Sequence, residues 1–258
     1  MVRTAVRAAA PTATRSSQGR WGHGRAALTA GPGPYSALVA QGSEATPDWL
    51  ATLRQVGPAD LPPWFADHPA PPRPRRSSAV LVLFGPGDDG EPRIVLTERS
   101  HDLRSHAAQV VFPGGHVEPG ESADEAALRE STEEVGLVPG SVEIVTTLPG
   151  VYLTPQSTEL VPVIGWWRAP HAIGVVDPAE VRRVVEPTVS SLADPANRFT
   201  ATAPGGYRGP GFIVDDLLVW GVTAALLDCV LTLTGRALPW DHHLETEVPE
   251  YLLAAYGM

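Results

Sequence analysis

GHVEPGESADEAALRESTEEVGL, residues 115–137, decides how this chain is read. Ser122 is followed three residues later by Glu125, a capping-box spacing that opens a helix. Ala126, Ala127 and Leu128 propagate one, and Gly136 stands where a C-terminal glycine ends it. On such a helix Glu130, Glu133 and Glu134 fall at i, i+3 and i+4 and share a face, where like charges repel. Arg129 is the base at hand to offset them. A face of this kind is unfavourable until a cation neutralises it, and clustered carboxylate oxygens suit a hard divalent ion, Mg²⁺ or Mn²⁺. The competing reading is a solvated acidic face. It is weakened by the absence of interleaved bases and by Phe112-Pro113-Gly114-Gly115, a turn signal directly behind an apolar segment.

Working outward, residues 79–84 (AVLVLF) read as a buried strand, and residues 86–90 (PGDDG) as a turn into a hairpin partner at 93–97. Residues 110–112 form a short strand leading to the acidic helix, and residues 142–147 and 160–167 read as further strands. Residues 180–192 are ambiguous. Residues 217–233 carry Trp220, Ala224, Leu227 and Leu231 on one stripe and read as a core helix. Strands and helices mixed in this way suggest an α/β/α sandwich with a mixed β-sheet.

The spacing of Gly115, Glu121, Arg129, Glu130, Glu133, Glu134, Gly136 and Leu137 resembles the signature of Nudix hydrolases. Ser131 departs from it, at a position that is aliphatic in the family. The resemblance covers residues 78–236 and implies the Nudix-type α/β/α sandwich. It implies hydrolysis of a phosphoanhydride that joins a nucleoside diphosphate to a second group. It also implies that Glu130, Glu133, Glu134 and the backbone carbonyl of Gly114 ligate Mg²⁺ or Mn²⁺. Glu130 is a ligand or a water-orienting base, and Arg129 orients the glutamates through a salt bridge. Glu121 stands behind the ligands or binds an additional ion. Glu180 falls where relatives place a late acidic base or ligand.

Ahead of that run, Leu96-Thr97-Glu98-Arg99-Ser100, Leu103-Arg104, His106, Gln109 and Phe112-Pro113-Gly114-Gly115 resemble the corresponding segment of coenzyme A pyrophosphatases. Val95 replaces a leucine of that pattern and Ala108 replaces a glycine. The likeness implies cleavage of coenzyme A or acyl-CoA to adenosine 3′,5′-bisphosphate and (acyl-)4′-phosphopantetheine. Arg99 and Arg104 are then placed to fork onto phosphate oxygens, the alternative being pairing with Glu98 or Asp102. His106 bonds a phosphate or caps its loop. ADP-ribose, NADH and dinucleoside polyphosphates are alternative substrates. A non-catalytic Nudix-fold ligand sensor is an alternative of another kind, disfavoured because every carboxylate of the signature is present.

The chain has 258 residues, is 43% hydrophobic and carries a formal net charge of −10. That balance argues against nucleic acid as a partner and is compatible with a small phosphorylated substrate bound through metal ions. Cys229 is the single cysteine, so an intrachain disulfide and a thiolate zinc cluster are excluded. No stretch is apolar over a bilayer-spanning length, so no membrane partner is expected. The cytoplasm is the expected location, and arginine without lysine suggests a high-GC, bacterial genome. Oligomeric state is left open, a homodimer included. Residues 1–46 lack acids before Glu44 and read as a disordered extension, although the composition also imitates a transit peptide or an upstream start. Residues 47–77 read as a short helix, marked by Trp49, Leu50, Leu53 and Val56, and a proline-rich linker. Residues 237–258 read as a C-terminal tail.

Overall fold

The computed structural model describes residues 44–103, 106–154 and 157–253. The amino-terminal part holds α1 (Asp48–Ala51), two 3-10 turns and α2 (Pro63–Asp67). The short helix expected from the spacing of Trp49, Leu50, Leu53 and Val56 spans α1 and the first 3-10 turn (Thr52–Gln55), with Ala51 and Thr52 both in right-handed helical backbone at the junction. Beyond it, Gly57 before Pro58 and Pro62 before Pro63 are extended, and each of those prolines opens the next helical turn, where its missing N–H is tolerated. Leu50, Leu53 and Phe65 are nevertheless buried in the main core.

Then come β1 (Arg76–Pro86), β2 (Pro92–Ile94), β3 (Leu96–Arg99), β4 (Val110–Val111), β5 (Gly114–His116) and α3 (Ala123–Val135). They are followed by β6 (Val142–Thr147), β7 (Val151–Leu153), β8 (Thr158–Trp167), β9 (Val181–Val185) and α4 (Val189–Ala193). The chain continues through β10 (Arg198–Ala203), β11 (Tyr207–Val214), β12 (Leu217–Val219), α5 (Gly221–Leu233), β13 (Glu245–Glu247) and α6 (Glu250–Leu253).

β1 and β8 run parallel at the centre, from Arg76 opposite Thr158 to Phe84 opposite Trp166. β2 and β5 pair antiparallel with β1, while β6 and β7 pair antiparallel with β8. The alternation of a strand then assigns two cores. Ala79, Leu81, Leu83, Val163 and Trp167 pack with Ala126, Ala127 and Val135 of α3. Val82, Phe84, Ile164 and Trp166 pack on the opposite side with Leu226, Leu227 and Val230 of α5. This is the α/β/α sandwich with a mixed sheet.

Residues 93–97 do not stay in one hairpin. The chain changes sheet at Val95, whose N–H donates to the Leu83 carbonyl at 3.0 Å. β3 then pairs with β4 and β9 in a second sheet. The ambiguous residues 180–192 supply β9 and α4. Residues 217–233 are a strand and then a helix, because Trp220 is extended and Gly221 adopts φ 66° between them. Residues 237–253 are not a loose tail. β13 pairs parallel with β10, and Val248, Leu252 and Leu253 are buried. Residues 1–43 and 254–258, and with them most of the expected extension, lie outside the described residues. Among the described residues no helix is long and apolar enough to cross a membrane.

Candidate functional site

α3 begins as its sequence dictates. Ser122 Oγ accepts from Glu125 N–H at 3.2 Å, and Glu125 Oε2 accepts from Ser122 N–H at 2.8 Å. It ends at Gly136, in the left-handed region at φ 75°. Ser131, the departure from the aliphatic pattern, is wholly buried, with its hydroxyl donating to the Ala127 carbonyl at 2.6 Å. The polar group is satisfied inside the helix, so the core beneath α3 remains closed.

Two glycines bring this helix against β5. A Cβ on Gly114 would lie 2.3 Å from the Ala79 carbonyl of β1, and one on Gly115 would lie 2.4 Å from the Glu130 carboxyl carbon. At Gly114 the clash is with backbone, so glycine is required; at Gly115 a side chain would displace the Glu130 carboxylate. Glu134, 3% exposed, accepts from Gly114 N–H at 3.1 Å. Burial pushes its carboxyl up to about 7, against the Gly114 hydrogen bond and the Arg99 charge, which pull it down. The neighbouring charges of Glu130 and Glu180 add to the rise. Glu180 itself is exposed, in the turn ahead of β9, where its carbonyl accepts from Ser100 N–H at 2.8 Å.

Arg129 ties the other acids together. It donates to Glu121 through Nε (2.9 Å) and Nη2 (3.0 Å), to Glu130 through Nη1 (2.9 Å), and lies 3.4 Å from Glu133. Nη2 also meets the His116 carbonyl at 2.9 Å. The Glu121 bond, with Glu130, holds the guanidinium charged well above its usual range. Arg129 therefore orients Glu121 and Glu130. Glu133 is more open, and the carboxylates do not close into a ready three-ligand cluster among the described residues.

Arg99 does not pair with Glu98 or Asp102. Glu98 is taken by Arg183 of β9 and by His101, the latter at 2.9 Å. Arg99 forms no ion pair among the described residues, and its Nε is buried without a hydrogen-bond partner. His106 closes its loop through Gln109, Nδ1 to Oε1 at 3.1 Å, and burial holds its imidazole below the usual range. Arg104, the other expected phosphate ligand, lies outside the described residues.

Ala108, where the resemblance calls for glycine, has φ 58°. Left-handed backbone costs a non-glycine residue about 1–2 kcal/mol, partly offset by the unfolded-state freedom of glycine. Ala108→Gly is expected to raise the thermal unfolding midpoint, by about 0.5–1 kcal/mol of stability. A lowered midpoint would contradict the strained assignment.

Arg99, His106, Gly114 and Gly115 line one cleft of about 790 Å³. Its remaining wall is largely apolar, including Trp64, Phe112, Tyr152, Leu160, Trp220 and Leu226. A smaller cavity of about 290 Å³ includes Glu98, Arg182, Arg183 and Asp216. There the charges largely satisfy each other through Arg183, which bonds both Glu98 and Asp216.

Residues 74–200 match the model of the NUDIX domain. Nudix hydrolase 15, mitochondrial, of Arabidopsis thaliana is 30% identical over 178 residues, covering 65% of this chain and 61% of that one. Nudix hydrolase 3 of Caenorhabditis elegans is 30% identical over 211 residues, covering 74% of this chain and 85% of the relative. The chain belongs to the Nudix hydrolase family. An uncharacterized Nudix hydrolase, NudL, of Escherichia coli is 35% identical over 165 residues, 59% of this chain and 79% of that protein. The chain spans about 61% of the length of the two plant relatives it matches.

Where α5 walls the cleft the structure shows a pair that sequence reading missed. Arg198 of β10, 1% exposed, bonds Asp228 of α5, a lining residue of the cleft. Its guanidinium lies 4.1 Å from the Phe212 ring centroid and 4.7 Å from that of Trp240. The signal was available in part, since Asp228 is the one charged residue of Gly221–Leu233.

Burial of Glu134 has a measurable consequence for this Nudix domain in chelator. Its folded carboxyl titrates higher than the unfolded one. Stability is full below the unfolded value near 4.5 and is lost as pH rises through about 7, by roughly 3 kcal/mol. Urea titrations of parent and Glu134→Gln in EDTA should diverge over that window, with the variant keeping its stability. Parallel curves from pH 5 to pH 8 would contradict the burial argument.

Proposed function

We propose that this chain is a metal-dependent Nudix pyrophosphohydrolase that cleaves the phosphoanhydride of coenzyme A or acyl-CoA. The products are adenosine 3′,5′-bisphosphate and (acyl-)4′-phosphopantetheine. The observation that supports the reading is Arg99, without an ion pair among the described residues and with its Nε buried and unbonded, on the wall of a large, mostly apolar cleft bounded by Gly114 and Gly115 of β5. A guanidinium with no ion pair among the described residues calls for an anionic ligand, and the apolar wall calls for a long, weakly polar second group.

The donor chemistry suits Mg²⁺ or Mn²⁺. Glu130, Glu133 and Glu134 offer carboxylate oxygens from α3 that would have to turn toward one ion to hold it, and Gly115 has no side chain to keep Glu130 from the cleft floor. The Gly114 carbonyl is the fourth donor in this reading. When bound, such an ion supplies charge neutralisation at the diphosphate oxygens. The chain's own groups do the rest. Arg99 binds and orients the diphosphate, Arg129 holds Glu130 in place, and Glu130 or Glu180 accepts the proton of the attacking water. Arg104 is a second phosphate ligand in this reading.

A panel of coenzyme A, acyl-CoA, ADP-ribose, NADH and dinucleoside polyphosphates, with Mg²⁺ and with Mn²⁺, tests it by mass analysis of products. Coenzyme A and acyl-CoA are expected to be cleaved most efficiently, releasing adenosine 3′,5′-bisphosphate. Preferential cleavage of ADP-ribose or a dinucleoside polyphosphate would overturn the substrate, and binding without cleavage of any member would overturn the activity.

A further inference from the structure

α5 turns one face to the cleft. Val222, Ala225 and Asp228, at i, i+3 and i+6, are half-buried, and all three line it. Helical side chains lean toward the preceding turn, and there Asp228 meets only Ala224 and Ala225, too small to cover it. Its side chain is 37% exposed, and on this face the exposure is to the cleft.

The carboxylate is fixed from behind. Asp228 Oδ1 accepts from Nη2 of Arg198, whose side chain is wholly buried against the rings of Phe212 and Trp240. Nε and Nη1 of Arg198 are buried without a hydrogen-bond partner. A guanidinium desolvated in this way, with two nitrogens idle, is a poor means of stabilising a core, and an apolar pair of similar size would pack as well. What the arrangement does provide is an acceptor anchored on an otherwise apolar wall. Asp228 makes no further hydrogen bond or ion pair among the described residues.

A carboxylate oxygen only accepts. With Arg198 balancing the charge, a neutral N–H or O–H is donor enough, while phosphate oxygens, acceptors themselves, find no bond there. α5 also lies beyond residue 200, where the match to the NUDIX domain ends. A group at this place can sort the second half of a substrate without touching the machinery that handles its diphosphate.

We propose that Asp228, held by the buried Arg198, is a specificity residue of the cleft: it accepts a hydrogen bond from an amide N–H or hydroxyl of the pantetheine portion, and Arg198 is its positioning residue. Pantetheine is long, weakly polar and carries both kinds of donor. Its identity as the occupant rests on the coenzyme A reading above, whereas the anchored acceptor does not.

Binding of the two halves tests this without turnover. Dissociation constants of pantetheine and of adenosine 3′,5′-bisphosphate are measured by ligand-observed NMR on the full chain with Mg²⁺. The parent is expected to bind both. Arg198→Met combined with Asp228→Leu replaces the pair by apolar groups. Its affinity for pantetheine should fall about tenfold, the scale of one lost hydrogen bond, with the bisphosphate within about twofold. Asp228→Asn serves if that protein does not fold: its amide oxygen turns to Arg198 and sets an NH₂ donor where the acceptor stood, so the same selective loss is expected. A parent with no affinity for pantetheine overturns the proposal. So does a folded variant that binds pantetheine as the parent does, or one that loses both ligands alike, as a packing role would have it. If the panel favours another nucleotide while the selective loss is seen, the coenzyme A reading falls and Asp228 keeps its place. If coenzyme A is cleaved and the variants keep their pantetheine affinity, the assignment of Asp228 falls and the activity stands.

Discussion

Glu134→Gln is expected to lower turnover by at least about a hundredfold at saturating Mg²⁺, on the scale of losing a major electrostatic stabiliser. The substitution preserves size, and the Gln oxygen can still accept from Gly114 N–H, as the carboxylate does at 3.1 Å. What disappears is the negative charge at a site where burial already makes that charge costly. Burial alone tends to neutralise this carboxyl, and a divalent ion is the partner that would hold it ionised. Steady-state kinetics with coenzyme A checks the expectation. Turnover within threefold of the parent would contradict a role in holding the ion.

Arg99→Ala should act on binding. Losing a hydrogen bond to a charged group costs about 1.5–3 kcal/mol, so KM for coenzyme A is expected to rise roughly 10- to 150-fold with a smaller change in kcat. The effect should shrink for a substrate fragment lacking the diphosphate. Arg183→Ala is the control. Arg183 bonds Glu98 and Asp216 at the smaller cavity and does not line the cleft. Its removal should leave KM within about twofold, in line with a side chain whose partners are all internal. An unchanged KM in Arg99→Ala would make Arg99 a structural residue.

What the sequence disclosed and what it withheld follow from the range of the interactions. α3 was readable end to end because Ser122, Glu125 and Gly136 act through bonds within a few residues. β1 and β8 were readable as strands because both faces are buried and their apolar runs are continuous. The break at Trp220-Gly221 was not readable, since residues 217–233 are apolar in either structure. The Tyr207 hydroxyl that receives the Gly221 N–H at 3.1 Å comes from another strand. Arg99 could be ranked only once Arg183, eighty-odd positions downstream, was seen to occupy Glu98. The carboxy-terminal segment looked like a tail because Val248, Leu252 and Leu253 are few. They gain a core only from Phe199, Ala201 and Trp220. Ala108 was the reverse case. Ala108 stands where the family pattern has glycine, and its φ of 58° is backbone that favours glycine.

The most direct measurement is an anomalous difference map from crystals of the full chain grown with Mn²⁺. The expected result is a peak bonded to carboxylate oxygens of Glu130 and Glu134, at the floor of the cleft beneath Gly114 and Gly115. A map with saturating Mn²⁺ and no peak on α3, its carboxylates turned instead to Arg129 and solvent, would contradict the metal-dependent hydrolysis proposed for this protein.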